Sequence, residues 1–178
     1  MEVIVLHEAG YREAMLGLSL SHNQPPSAMP KVAQKLCNKD GGHNKFLESI
    51  AVWLDITAPR FWWCQFDTYR AGVTKQSGST MHTLMSRNLI HDDFAQPISS
   101  ESLEALNRLR ESGRFERLKN ELPEGFMQRR IVCTNYQTLR RMIKQRRTHR
   151  LKEWHIFIDE MLRQLQRTDF LEDLCEAS

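Results

Sequence analysis

The sequence predicts an α/β domain, and two patterns carry that prediction. Ile50, Val52, Leu54 and Ile56 alternate with Ala51, Trp53, Asp55 and Thr57, the period of two expected of a strand with one buried face. Further on, Leu151, Trp154, Ile158, Met161, Leu162 and Leu165 recur at the 3.6-residue spacing of an amphipathic helix. The chain has 178 residues, 40% of them hydrophobic and 26% charged. That is enough for one domain over 1–178 with its own core, or for a compact unit that completes itself by oligomerising.

The elements follow in order. Val3–Leu6 is a β-branched run and a strand candidate, broken by Gly10. Tyr11, Ala14, Met15 and Leu18 then repeat at helical spacing, and Asn23-Gln24-Pro25-Pro26 ends that helix as a loop. Ser27 is placed to cap a second helix through Val32 and Leu36, with Pro30 in its first turn and Gly41-Gly42 closing it. After the alternating strand, Pro59 stops ladder pairing and starts a helix over Arg60–Tyr69.

The stretch from Ala58 to His82 organises the chain. Its aromatic first half, with Phe61, Trp62, Cys64 and Phe66, should run into the interior. Its second half reads as a polar loop crowded with Gln65, Asp67, Tyr69, Arg70, Lys75, Gln76, Ser77 and Ser79. Buried polar groups without partners cost about 2–7 kcal/mol. A polar ligand or a tight subunit interface would satisfy them, and local sequence leaves both open.

Thr80–Arg87 fits neither period, and Asn88–Pro97 reads as a loop. Ser99 or Ser100 caps a helix through Leu103, Leu106 and Arg110 that Gly113 ends; a shorter helix through Phe115 and Leu118 stops at Pro123. Ile131–Cys133 is a second strand candidate, after which Thr134 or Asn135 caps a helix carrying Leu139, Met142 and Ile143.

Composition narrows the function. A formal charge of +3 does not by itself imply nucleic acid. No apolar run approaches the ~18 residues of a membrane helix, and Met1–Tyr11 lacks the pattern of a signal peptide, so a cytoplasmic location is expected. Cys37, Cys64, Cys133 and Cys175 are scattered without ligand spacing and read as reduced thiols. His149 and His155 have no third partner, so no metal is expected. Arg140, Arg141, Lys144, Arg146, Arg147, Arg150 and Lys152 cluster on one helix and its exit but point in several directions. A solvated face with ion pairs to Glu153, Asp159 and Glu160 and a phosphate or nucleotide pocket are both open, because guanidinium forks bind phosphate bidentately. Duplex nucleic acid would need a longer stripe and more charge.

Taken together, these pieces resemble the flavin-dependent thymidylate synthases. In that family a His-x-x-x-x-Glu segment leads into a strand, then a Pro, then a Gln three residues before Arg-His-Arg. His43, Glu48, Pro59, Gln65 and Arg70 stand at those spacings without a gap. The family then has an Arg before Leu-Pro, Asn-x-Arg-Ser-Leu, and an Arg seven residues after that Leu. This chain has Lys119 before Leu122-Pro123, then Asn135-Tyr136-Gln137-Thr138-Leu139, then Arg146. Thr68-Tyr69-Arg70 replaces Arg-His-Arg, and Lys75-Gln76 stands where the family has Asn-Glu.

The resemblance implies a central, mostly antiparallel sheet flanked by helices, and a homotetramer with sites between subunits. It implies transfer of a one-carbon unit from methylenetetrahydrofolate to C5 of dUMP, with FAD as cofactor and NADPH as reductant. Arg146 would be catalytic at the pyrimidine. Gln65, Gln76, Ser77, Gly78 and Lys119 would hold nucleotide together with Arg146; His43, Glu48, Tyr69, Arg70 and Asn135 would line the flavin. The alternatives are an enzyme on the same fold that hydroxymethylates another pyrimidine nucleotide, and a non-catalytic nucleotide- or nucleic-acid-binding protein.

Overall fold

The alternating stretch becomes the centre of a four-stranded antiparallel sheet of order β1-β2-β4-β3. The computed structural model describes residues 1–174; Cys175, expected as a reduced thiol, lies outside them. The elements in chain order are β1 (Glu2–Ala9), α1 (Tyr11–His22), α2 (Met29–Leu36), β2 (Ala51–Pro59), α3 (Arg60–Phe66), β3 (Thr74–Ser77), α4 (Thr80–Thr83), α5 (Ser100–Glu111), α6 (Phe115–Glu121), β4 (Met127–Asn135), α7 (Tyr136–Arg146) and α8 (Lys152–Gln164).

Period-two alternation puts Val52, Leu54, Ile56 and Ala58 on one face, fully buried with Val3 and Val132 beside them. Helices α3, α7 and α8 supply Trp62, Trp63, Phe66, Leu139, Ile143, Trp154 and Phe157 to the same core. The opposite face carries Ile4, Trp53 and the ion pair of Asp55 with Arg129, whose Nε donates to Asp55 Oδ1 at 2.8 Å. That pairing holds the Asp55 carboxyl below its ordinary range. At the corner between β1 and α1, Gly10 has φ 92°, and a Cβ there would overlap the Ser49 carbonyl oxygen. Only glycine fits such a close backbone approach at that φ.

Three expectations are corrected. Thr74–Ser77 pairs with β4, Thr74 opposite Cys133 and Ser77 opposite Arg130, where a loop was expected. Its polar side chains hid the strand because it is an edge: one neighbour supplies its ladder, and charged residues are favoured there. The helix from Arg60 ends at Phe66, not Tyr69. Ser27 lies inside a 3₁₀ turn, Pro26–Ala28, and α2 starts beyond it without a side-chain cap.

Leu84, Leu89, Phe94, Leu106, Leu118 and Leu122 form a second cluster under α5 and α6. Asn107 ties the preceding loop to α5, its Oδ1 accepting from Leu89 N at 2.8 Å and its Nδ2 donating to Leu89 O at 3.0 Å. Ser99 is the cap of α5, its side chain accepting from Ser102 N. Among the described residues no helix is long and apolar enough to cross a membrane.

Candidate functional site

The site begins where α3 exits the core. Trp62 and Phe66 stack among Trp154 and Phe157, with ring centroids 4.9–6.3 Å apart, so the end of α3 is rigidly held. Gln65 and Tyr69 project from this platform toward the end of α7. Arg146 donates from Nε to Tyr69 Oη at 3.0 Å, and its Nη1 lies 3.5 Å from Gln65 Oε1. Its guanidinium sits 4.9 Å from the Trp154 ring and 5.6 Å from the Tyr69 ring. Trp154 Nε1 donates to Gln65 Oε1 at 2.9 Å, and Tyr69 Oη donates to Gln145 Oε1 at 2.9 Å. His149 lies beside this cluster, 6.4 Å from the Trp154 ring. Its pKa is pushed down by burial and by the charges of Arg146 and His155.

The start of α7 forms the next wall. Asn135 caps the helix, its Oδ1 accepting from Thr138 N at 2.9 Å. The Ala71-Gly72 segment is strapped across this end: Thr134 Oγ1 donates to Gly72 O at 3.0 Å, and Arg141 Nη2 to Ala71 O at 3.2 Å. A groove of about 300 Å³ opens between Glu48, Gly72, Asn135, Gln137 and Arg141. Through Ala71 and Arg141 it adjoins a groove of about 330 Å³ lined by Tyr69, Arg70 and Gln145. Through Glu48 it adjoins a larger one of about 680 Å³, where His43 faces α1. His43, Glu48, Asn135, Arg70 and Tyr69 thus border one run of grooves, and Tyr69 bonds Arg146 beside it.

Gln76, Ser77, Gly78 and Lys119 form a second group. Gly78 N donates to Arg129 O at 2.9 Å, at the far end of the β3–β4 pair from Asn135. At about 3.3 Å per strand residue, Thr74 and Ser77 lie roughly 10 Å apart along the edge strand. Lys119, on α6, has its Nζ 3.4 Å from Met81 Sδ. Between the two groups, Asp67 bridges Lys75 Nζ at 2.5 Å and Arg130 Nη1 at 3.0 Å, and Arg130 stacks 4.3 Å from the Trp63 ring. Burial pushes the Asp67 carboxyl up, but these two cations outweigh it and hold it below its usual range.

The basic cluster divides accordingly. Arg140 is buried and turns to Asp173 and the Phe170 carbonyl, at 2.6 Å from Asp173 Oδ1. Arg141 lines the grooves, and Arg146 turns to Tyr69 and Gln65. Residue-by-residue reading missed Gln137, Gln145 and Trp154 as site residues. Gln137, Arg141 and Gln145 stand at i, i+4 and i+8, a polar stripe on one face of α7 that was available in the sequence. Trp154 was hidden in the apolar stripe of α8, since its ring is buried in the core and only its indole N–H makes a hydrogen bond to the site.

The fold is that of the flavin-dependent thymidylate synthases. A thymidylate synthase X from Helicobacter pylori, solved with FAD and dUMP, superposes with a TM-score of 0.83 at 16% identity, covering 99% of this chain and 100% of that one. A flavin-dependent thymidylate synthase from Helicobacter pylori, also complexed with FAD and dUMP, gives 0.81 at 18% identity, covering 98% and 99%. The family model of the thymidylate synthase complementing protein matches residues 9–169, and the chain belongs to that family. No curated protein matches it.

Proposed function

We propose that this protein is a thymidylate synthase that transfers a one-carbon unit from methylenetetrahydrofolate to C5 of dUMP, forming dTMP, with FAD as its cofactor and NADPH as reductant. Family membership supports this reading. The observation that carries it is Arg146, held between Gln65, Tyr69 and Trp154 beside the groove that Tyr69 lines.

The grooves suit a flavin. Gln137 Oε1 is buried without a hydrogen-bond partner among the described residues, at the wall shared with Asn135 and Arg141, and an N–H of a bound heterocycle would satisfy it. We assign His43, Glu48, Arg70 and Asn135 to the flavin, with Gln137 and Arg141 added. When bound, FAD would supply the redox chemistry, carrying reducing equivalents from NADPH to the transferred carbon.

The chain's own residues bind and orient. As C5 of the pyrimidine forms its new bond, negative charge spreads over the ring and its carbonyl oxygens. Arg146 offers fixed N–H donors to that charge, and a preorganised donor of this kind is worth about 3 kcal/mol. Gln65 holds the nucleotide beside it. Gln76, Ser77, Gly78 and Lys119 are assigned to the nucleotide in a neighbouring protomer's site, Lys119 as a point charge on phosphate, because Gly78 lies at the far end of the β3–β4 pair from Asn135 of its own chain. That assignment goes with a homotetramer of single-domain subunits, 1–178, and the exposed Ile4, Leu6 and Trp53 on the bare sheet face favour burial against another copy. A cytoplasmic location is proposed from the water-soluble substrates.

The test is a visible spectrum of purified protein followed by titration with dUMP and with dCMP. A flavin spectrum perturbed by dUMP, with turnover to dTMP, is expected. Protein that is colourless and cannot be reconstituted with FAD would sink the proposal, and a response to dCMP alone would replace its substrate.

A further inference from the structure

The hydrogen bonds around Arg146 have a fixed direction. An indole N–H only donates, so Trp154 obliges Gln65 to turn Oε1 toward it, at 2.9 Å. A guanidinium also only donates, and Arg146 Nη1 approaches the same oxygen at 3.5 Å. Gln65 Nε2 is therefore the amide group left for a ligand. On the other side, Tyr69 Oη accepts from Arg146 Nε at 3.0 Å and donates its own hydrogen bond to Gln145 Oε1 at 2.9 Å. Tyr69 is only 4% exposed, and its ring and that of Trp154 both lie within 6 Å of the guanidinium. Arg146 can neither rotate about its Nε–Cζ bond nor swing away without breaking these contacts.

We propose that Tyr69 and Trp154 are positioning residues, which lock Arg146 and Gln65 so that only N–H donors face the ligand. The atoms opposite are then acceptor oxygens, of a phosphate or of a pyrimidine carbonyl. This inference rests on the nucleotide reading above. It departs from the simple expectation that Tyr69 serves the flavin, because the Tyr69 hydroxyl is spent on Arg146 and Gln145.

Tyr69→Phe keeps the ring and removes the hydroxyl, so folding is spared. Expected results are unchanged FAD content, dUMP binding weakened about tenfold or more, the scale of a hydrogen bond to a charged group, and a fall in kcat. In an Arg146→Ala background, Tyr69→Phe should weaken dUMP binding no further, because its effect runs through the arginine. Trp154→Phe should weaken dUMP binding while preserving FAD content. Gln65→Glu, which replaces the outward donor by an oxygen, separates the two sources of acceptor. Weakening of dUMP with unchanged binding of deoxyuridine, which lacks the phosphate, puts phosphate opposite Gln65, whereas weakening of both puts a ring carbonyl there.

Wild-type dUMP affinity and kcat in Tyr69→Phe would overturn the proposal, as would an equal loss in the Arg146→Ala background or no change in Gln65→Glu. If the unmodified protein binds neither FAD nor dUMP, the nucleotide reading falls and takes this proposal with it. If it binds both and Tyr69→Phe is silent, the positioning role alone is lost.

Discussion

Gly72 presses its backbone against the Thr138 side chain. At its φ of 71° a Cβ would overlap Thr138 Oγ1 and come within 2.9 Å of Asn135 Nδ2. The close approach lets the Ala71-Gly72 segment close over the first turn of α7, where the candidate flavin groove lies. Gly72→Ala should therefore cost about 1–3 kcal/mol, the usual scale for a left-handed non-glycine residue. FAD affinity should fall as well. Thermal unfolding and flavin titration check both; an unchanged melting temperature would show that the strap is not tight.

Arg146→Ala should lower kcat by a factor of about 10²–10³, the loss expected when one preorganised donor to a developing anion is removed. FAD should stay bound, since the change leaves the residues that line the grooves in place. Arg146→Lys should restore little, because a lysine cannot bond Tyr69 and Gln65 together through a planar fork. Steady-state dTMP formation decides; normal turnover in the alanine variant would remove Arg146 from the mechanism.

Asp67 couples the edge strand to acid stability. Its folded-state pKa lies below the ordinary value despite burial, because Lys75 and Arg130 favour the carboxylate. The unfolded chain therefore takes up that proton first as pH falls. The contribution is fully present above about pH 4, the unfolded value, and is lost as pH drops through the folded value. Asp67→Asn should reduce stability at neutral pH and flatten the acid limb of a plot of melting temperature against pH. Two parallel curves would contradict this.

Two helix caps separate stability from function. Ser99 caps α5 in the outer cluster, and Asn135 caps α7 at the groove. Each alanine substitution should cost about 1 kcal/mol of stability. Only Asn135→Ala should also weaken FAD binding, and equal flavin affinity in the two variants would argue that Asn135 is a cap and nothing more.

Arg129 and Asp55 pair on the exposed sheet face, and their partner strands run side by side in the β2–β4 ladder. Both strands were visible in the sequence, but for different reasons. The alternation in β2 names its buried face outright. β4 shows only Ile131–Cys133 as apolar, because Gln128 and Arg130 share the inner face with Val132 and are turned to Gly78 and Asp67. Residues that bond polar partners across a sheet look like loop residues until those partners are known.

Local chemistry alone determined the α/β class, β2 and the amphipathic stripes of α1, α7 and α8, and narrowed the caps of α5 and α7 to two neighbouring residues each. Each depends on a spacing or a cap within a few residues. The motif spacings also marked His43, Glu48, Gln65, Arg70, Asn135 and Arg146 before any fold was known. Tertiary structure alone decided that Thr74–Ser77 is a strand, that Arg140 is buried against Asp173 while Arg146 is not, and that Tyr69 meets an arginine 77 residues away. The physical reason is common to all three: a polar side chain is satisfied by whichever partner the packing brings within about 3 Å, and neighbours along the chain carry no record of that partner.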